Sequence, residues 1–451
     1  MTKPMDSIPT APGALPLIGH LVPLLRDPLA FFTSLPSHGR LVRIRIGGFV
    51  AVVVCDQDLT RQVLREDQTF DKGGPFMDQF KEMIGDGLPV CPHSRHRRQR
   101  RLVQPVFHSG RLPGYAHVLA EQAAAVTRSW QDGQVLDVRA EMMALTARGT
   151  LATMFSDSLP SPLLRQTVGD LATVLTDLTW RALRPPSLGR LPTPGNRRFQ
   201  QSLTRLRRTI DGIIADRRAS GADHGDLLSA LLSTRDVETD GWGLSDTEVT
   251  DQVVTFFVGG TETSATNLSW ALHLLASHSD IRQRLYAEAD RVLDGRPAVY
   301  ADLPRLELAR NVVTEALRLW PPVGMFTRTV TSDTRLDGHA IPADATVIYS
   351  PYLIHHRPDL YPHPDLFDPD RWRSARTPPR DAFIPFGGGA RKCIGDKFAM
   401  IFATLVLATI AARWDLRPVP DGRVRPALGT ILTPRGLRMR AIARTKVEVK
   451  A

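Results

Sequence analysis

Hydrophobic and polar positions recur along this chain with two different periods. Leu41 to Ile46 reads Leu-Val-Arg-Ile-Arg-Ile, apolar and basic in turn, and Phe49 to Val54 is an apolar, valine-rich run. Gly47-Gly48 lies between them, so the pair predicts a β-hairpin. From about 110 to 320 the spacing becomes helical, with turns expected at Pro185-Pro186 and at Pro192 to Gly195. Inside that stretch Ser245-Asp246-Thr247-Glu248 is a capping box that opens a long apolar helix reaching about His278. Strand-like runs return between 325 and 350, and a Pro- and Asp-rich irregular stretch occupies 357 to 385. An apolar helix is predicted over Phe398 to Ala412, and short strands over 415 to 443. No Gly/Ser linker, acidic block or repeat interrupts the pattern. The expected fold class is mainly α with a smaller β-rich lobe built from both ends of the chain, in one domain spanning residues 1–451.

Composition narrows the class. With 42% hydrophobic and 23% charged residues the chain is an ordinary globular one, long enough to enclose a bulky cofactor. Its three cysteines, Cys55, Cys91 and Cys393, are too few for a disulfide scaffold and suit a reducing cytosol. Pro4, Asp6, Pro9 and Pro12 leave no room for a basic-then-apolar signal segment. Ala399 to Ala412 is shorter than the ~20 residues a bilayer crossing needs. A cytoplasmic protein without a membrane span is expected. The net charge of +10 attracts anions of any kind, and its densest patch is Arg95, Arg97, Arg98, Arg100 and Arg101, interleaved with His96. That run is either a solvated helix face or the mark of a basic nucleic-acid-binding protein.

Phe386 to Gly395 holds four glycines and Cys393 within ten residues. The glycines free the backbone for positive φ and for close approach to another group. The start of the helix that follows would favour a thiolate at Cys393 through its partial positive charge. Read alone, the cysteine could be a small buried hydrophobe. A phosphate loop lacks support, because no Ser or Thr follows Lys392, and zinc lacks a second ligand nearby. Midway along the long helix stands Gly259-Gly260-Thr261-Glu262-Thr263. Each mid-helix glycine costs about 1 kcal/mol relative to alanine, so the pair reflects either close helix packing or space kept for a flat group. Glu315 and Arg318 lie at i, i+3 on one helical face.

The ten-residue loop resembles the haem-binding stretch of the cytochromes P-450, F-x-x-G-x-R-x-C-x-G, and meets every fixed position. The resemblance implies haem b (heme b, iron protoporphyrin IX) with its iron on the Cys393 sulfur, Phe386 beside it, and Arg391 on a propionate. Gly259 to Thr263 looks like the family's [AG]-G-x-[DE]-T motif, which implies that Thr263 and Glu262 relay protons during dioxygen activation. Thr261 and Ser264 are further hydroxyls for that task. Glu315 and Arg318 match the E-x-x-R pair, completed by Arg371 of Phe367 to Trp372 into a structural lock. His96 and Arg100 stand where the family has W-x-x-x-R, with His96 replacing the tryptophan, and Arg328 resembles another propionate-binding arginine. Pro12-Gly13 and Pro16-Leu17 fit the usual entry to the fold. The implied activity is insertion of oxygen from dioxygen into an unactivated C–H bond of a hydrophobic small molecule.

The regions that line the family's pocket hold Phe76, Met77, Phe80 and Met83, then Phe256, Phe257 and Gly260, then Val323, Met325 and Phe326, and lastly Ile431 and Leu432. This apolar set suits a hydrocarbon ligand. Arg97 to Leu102 and Ser350 to Tyr352 resemble actinobacterial sesquiterpene oxidases, which implies terpene oxidation in secondary metabolism. Too little chain follows Cys393 for a fused flavin domain, so a separate ferredoxin and ferredoxin reductase are expected, docking on Arg98, Arg101 and Lys392. Rival readings are a haem-thiolate isomerase, dehydratase or peroxide-driven enzyme, and the nucleic-acid binder. The Thr263 and Glu262 pair disfavours the first, and the second explains neither Cys393 nor the paired glycines.

Overall fold

The computed structural model describes residues 3–156, 161–182, 191–236, 238, 241–373, 378–420, 423–427 and 431–444. Pro185-Pro186 lies outside them, as does the side chain of Phe76. Two hydrophobic cores account for the architecture. The larger gathers helices from Met83 to Ala441, and the smaller belongs to a β-rich lobe formed from residues 8–70 and 330–384.

The lobe is a five-stranded sheet in the spatial order Leu41–Ile46, Phe49–Val54, Thr346–Tyr349, Phe326–Val330, Phe70–Asp71. The expected hairpin forms with Ile46 opposite Phe49, and Gly47 takes the positive φ (+58°) its turn requires. Its second strand then pairs in parallel with Thr346–Tyr349. Antiparallel pairing of Phe326 with Tyr349 brings both rings to the edge that faces the helices. The lobe is therefore not built from both chain ends. The C-terminal strands Trp414–Pro418 and Arg438–Ala443 pair with each other, and the latter also with Val135–Asp137; Trp414, Leu416 and Met439 join the helical core. Sheet partners separated by hundreds of residues leave no periodic trace, which is why the pattern could not assign these strands to a lobe.

The long helix spans Asp246–Ser277 and carries the predicted capping box: Ser245 Oγ accepts from Glu248 N at 3.2 Å, and Glu248 Oε2 accepts from Ser245 N at 2.9 Å. It packs along the Val138–Phe155 helix, where Thr146 Oγ1 donates to the Thr261 carbonyl at 2.9 Å. Pro192 to Gly195 is not wholly a turn. Thr193 caps a helix that starts at Pro194, because proline's missing N–H costs nothing in a first helical turn. The helix after the cysteine covers Asp396–Arg413 and is buried from Phe402 to Ala412, a core helix. No helix among the described residues is long and apolar enough to cross a membrane.

The irregular stretch 357 to 385 folds mainly through side chains. Glu315, fully buried, pairs with Arg318 at 2.7 Å and with Arg371 at 3.4 Å, and it accepts from Trp372 Nε1 at 2.8 Å. Arg318 donates onward to the carbonyls of His355, Pro364 and Leu366. One carboxylate thus fastens the segment that leads into the cysteine loop. Replacing Glu315 by alanine would strand two buried guanidinium groups, for which a loss of about 3–5 kcal/mol is expected. Urea unfolding measures it, and a loss below about 1 kcal/mol would refute the assignment of this cluster as the fastener.

Candidate active site

Between the middle of the Asp246–Ser277 helix and the cysteine loop lies a cavity of about 290 Å³. Its two opposing walls explain the two unusual glycine clusters. On the loop side, Gly387 and Gly389 take positive φ (+68° and +63°), and a Cβ at Gly389 would fall 2.0 Å from the Leu64 carbonyl oxygen. The loop closes where Cys393 N donates to the Phe386 carbonyl at 2.9 Å, which turns the Cys393 side chain into the cavity. On the helix side the two glycines divide the alternatives. A Cβ at Gly259 would meet nothing within 4 Å and would project into open space, whereas one at Gly260 would crowd Thr150 Oγ1 at 3.3 Å. Gly259 keeps the cavity clear, and Gly260 lets the Val138–Phe155 helix approach.

Cys393 lines the cavity and keeps accessible surface there, although protein surrounds the thiol on most sides. Burial raises its pKa above the ordinary thiol value, and the Gly395 N–H, Arg100 and Lys392 lower it only in part. The expected preference for thiolate is therefore not set by the helix start alone. A nearby cation would have to supply the remaining stabilisation.

Positive charge collects at one side of the cavity. His96, Arg100, Arg391 and Lys72 all line it. Arg391 is held by Asp71 at 2.6 Å, by Asp67 at 3.3 Å and by the Cys91 carbonyl at 2.7 Å. Arg100 donates to the Lys392 carbonyl at 2.6 Å. Burial, then Arg391 and Arg100, push the His96 imidazole down to about 3, so it is neutral and retains one N–H to donate. Lys72 has no ion-pair partner among the described residues, and burial beside Arg328 and Arg391 holds its pKa well below the usual lysine range. Arg328 stands behind this row, 1% exposed, with Nη2 donating to Tyr349 Oη at 3.3 Å and Nε without a partner. Lys72 escapes sequence reasoning because a single lysine after Asp71 carries no motif. Only the pairing of Phe70–Asp71 with Phe326–Val330 brings it beside Arg328.

Thr263 lines the cavity and donates its hydroxyl to the Gly259 carbonyl one turn back, at 2.5 Å. Glu262 points elsewhere, to Arg139 at 3.5 Å, and burial pushes its carboxyl up to about 7. Thr261 is buried away from the cavity, while Ser264 lines it.

Of the expected apolar lining, Phe256, Gly260, Val323 and Phe326 border the cavity. Phe257 does not: one position along a helix turns a side chain by about 100°, and Phe257 packs into the main core. Met77, Phe80 and Met83 pack against that core as well, and Met325 against the lobe core. Leu432 instead offers its carbonyl to Trp270 Nε1 at 2.8 Å, and neither it nor Ile431 borders the cavity. The lining is more polar than the sequence suggested, since Thr150, Thr153, Thr255 and Asn267 also take part. These four sit on helices whose inward faces only the tertiary packing defines. Arg98 and Arg101 are not free for a partner either. Arg101 binds Asp236 at 2.7 Å and Glu238 at 2.7 Å, and Arg98 binds Glu248 at 2.8 Å. Lys392 is likewise paired, with Asp396.

These residues fit a flat, dianionic group that brings its own metal. One sulfur faces the cavity, and no cluster of three or more His, Cys, Asp or Glu side chains among the described residues could hold an ion unaided. A lysine with no ion-pair partner among the described residues lines one side, and an arginine with an orphaned Nε stands behind it. The family profile Cytochrome P-450 matches residues 9–439. The chain is 44% identical to pentalenene oxygenase of Streptomyces avermitilis, covering 97% of this chain and 97% of that protein. It is also 44% identical to cyclooctat-9-en-7-ol 5-monooxygenase of Streptomyces melanosporofaciens, covering 91% and 90%, and to cyclooctatin synthase of the same organism, covering 95% and 94%.

The Glu262 carboxyl yields a pH prediction. Its pKa rises from 4.5 to about 7 on folding, so between those values the folded state binds more protons than the unfolded state. Stability should fall as pH rises through that window and level off above it, by roughly 1.4 kcal/mol per pH unit at most. Glu262→Gln should flatten this slope when urea unfolding is compared at pH 5 and pH 7.5. An unchanged slope would contradict the burial argument.

Proposed function

The chain belongs to the cytochrome P-450 family and is a haem b monooxygenase, and from that premise we propose that Cys393 holds the iron and that the substrate is a terpene. The observation that carries the first part is the one cavity-facing thiol, directed toward the part of the long helix that Gly259 leaves bare. Haem b, when bound, supplies activation of dioxygen and insertion of one oxygen atom into an unactivated C–H bond. The Phe386 to Gly395 backbone fixes the sulfur's position, and the Gly395 N–H stabilises its charge. His96, Arg100, Arg328, Arg391 and Lys72 would receive the two propionates, with Lys72 and Arg328 supplying charge that no protein carboxylate already takes.

Thr263, whose hydroxyl donates to the Gly259 carbonyl, would hold water in the cavity, and Glu262 would exchange protons at neutral pH because burial has brought its carboxyl into that range. Since Glu262 faces Arg139 and not the cavity, its proton must travel through water or a change of rotamer. The walls from Phe256, Val323 and Phe326 exclude bulk water and favour a hydrocarbon framework. Likeness to pentalenene oxygenase, cyclooctat-9-en-7-ol 5-monooxygenase and cyclooctatin synthase supports a terpene substrate in secondary metabolism. We further propose a cytoplasmic setting and an acidic ferredoxin, with its reductase, as electron donor to this basic chain.

Reduced wild-type protein should give the thiolate-type carbon monoxide difference spectrum, and Cys393→Ser should abolish it while leaving the chain folded. A surviving thiolate signature would overturn the ligand assignment. Thr263→Ala should bind a terpene with the wild-type spin shift yet form about ten- to a hundredfold less product per electron consumed. Unchanged coupling would remove Thr263 from proton handling.

A further inference from the structure

A hydroxyl buried on a helix has a partner ready to hand in the carbonyl one turn back. The two helices that meet at Gly260 use it unevenly. On the Val138–Phe155 helix, Thr146 donates to the Met142 carbonyl at 2.9 Å and Thr153 to the Gly149 carbonyl at 2.8 Å, but Thr150 Oγ1 has no partner among the described residues. On the Asp246–Ser277 helix, Thr263 donates to the Gly259 carbonyl and Ser269 to the Ala265 carbonyl, yet Ser264 Oγ and Asn267 Oδ1 are likewise without partners. Thr150, Ser264 and Asn267 are each 4% exposed, and all three line the cavity. A hydroxyl can rotate onto a carbonyl. The amide oxygen of Asn267 needs a donor, and the middle of a helix has no N–H to spare.

The three groups form one stripe. Thr150 Oγ1 lies 3.3 Å from the place of a Gly260 Cβ, and Gly260, Ser264 and Asn267 follow one another at steps of four and three along a single helical ridge. The stripe is remote from the cations of the cavity. The helix that bears His96 and Arg100 meets the long helix where Arg98 pairs with Glu248 at 2.8 Å and Gln252 donates to Gln99 at 3.2 Å. Ser264 is about 18 Å and Asn267 about 22 Å further along the axis from Gln252, too far for a propionate held by those cations. Thr255, another orphaned hydroxyl, stands within a turn of Gln252 on the cations' side, and Thr261 does not border the cavity, so neither belongs to the stripe. Beyond Asn267, Trp270 Nε1 donates to the Leu432 carbonyl and Leu432 N to the Pro322 carbonyl, both at 2.8 Å. Pro322 and Val323, which this tie fixes, line the cavity with apolar surface.

We propose that Thr150, Ser264 and Asn267 form a polar subsite for a hydroxyl already present on the substrate, so that the enzyme oxidises a terpene alcohol and not the parent hydrocarbon. A ligand hydroxyl would donate to Asn267 Oδ1 and accept from the Ser264 or Thr150 hydroxyl, whereas a hydrocarbon would leave all three groups buried and bare. The inference rests on the terpene reading of the same cavity. It also fixes a place in a reaction sequence: the substrate's oxygen must come from an earlier step, either a hydroxylation or a cyclisation terminated by water.

The test uses the full-length haem-loaded protein, titrated for its spin-state shift with ligand pairs that share a skeleton, cedrene with cedrol and guaiene with guaiol. In at least one pair the alcohol should bind about tenfold or more tightly than the hydrocarbon. Asn267→Leu should erase that preference by weakening the alcohol, with hydrocarbon binding unchanged or tighter. Thr150→Val combined with Ser264→Ala should reduce the preference several-fold. Because leucine replaces an orphaned amide with an apolar group of similar size, Asn267→Leu should also raise the urea midpoint of the terpene-free protein, which loss of a structural asparagine would lower. Equal binding within every pair would overturn the proposal, and so would an alcohol preference that survives Asn267→Leu. Tighter binding of the hydrocarbons would overturn it as well, and would assign the stripe to bound water. If neither hydrocarbons nor alcohols shifted the spin state, the terpene reading itself would fall, and the subsite with it.

Discussion

The structure depends on holding one sulfur atom across a cavity from a helix that has been stripped of side chains. Cys393 is aimed inward by a loop whose glycines accept positive φ and a close approach to the Leu64 carbonyl, so the loop backbone fixes where its side chain starts. Gly259 clears the opposite wall, and Gly260 allows the Val138–Phe155 helix close enough to stiffen that wall. The cysteine loop follows an irregular segment that is fastened by the buried cluster around Glu315, and the weakened helix is supported along its length by a neighbour.

Charge is segregated around this arrangement. Cations gather on one side of the cavity, and several are deliberately compensated: Arg391 by Asp67 and Asp71, Arg100 by a carbonyl. Lys72 lies over the Phe326 ring at 5.4 Å but has no ion-pair partner among the described residues, and the Nε of Arg328 has no hydrogen-bond partner. Burying uncompensated cations is costly, so the cluster makes physical sense only if an anionic group completes it. The same reasoning applies to Cys393, whose thiolate is disfavoured by burial until a cation stands beside it. An anion beside these cations and a metal beside the sulfur would answer both needs, as proposed for haem b.

The tertiary contacts also redistribute the basic helix His93–Val103. Its arginines look alike in sequence, yet each has a separate task. Arg100 borders the cavity, Arg95 pairs with Asp86, and Arg98 and Arg101 bind acidic groups around Asp236. The run that suggested an exposed docking stripe is largely a set of ties to groups of the same chain.

Local chemistry was legible in the sequence wherever residues close in the chain act together. The hairpin at Gly47-Gly48, the Ser245 capping box and the apolar helix after Cys393 each arise from contacts within a few residues, and so does the glycine-rich loop itself. What required the folded chain was everything decided between distant segments. That Phe256 borders the cavity while Phe257 does not depends on helix rotation against neighbours. That Lys72 joins Arg328 depends on a strand pairing across more than two hundred residues. Periodicity records which residues prefer to be buried; it does not record against what, because the free energy of a long-range contact is shared between two segments that the linear order keeps apart.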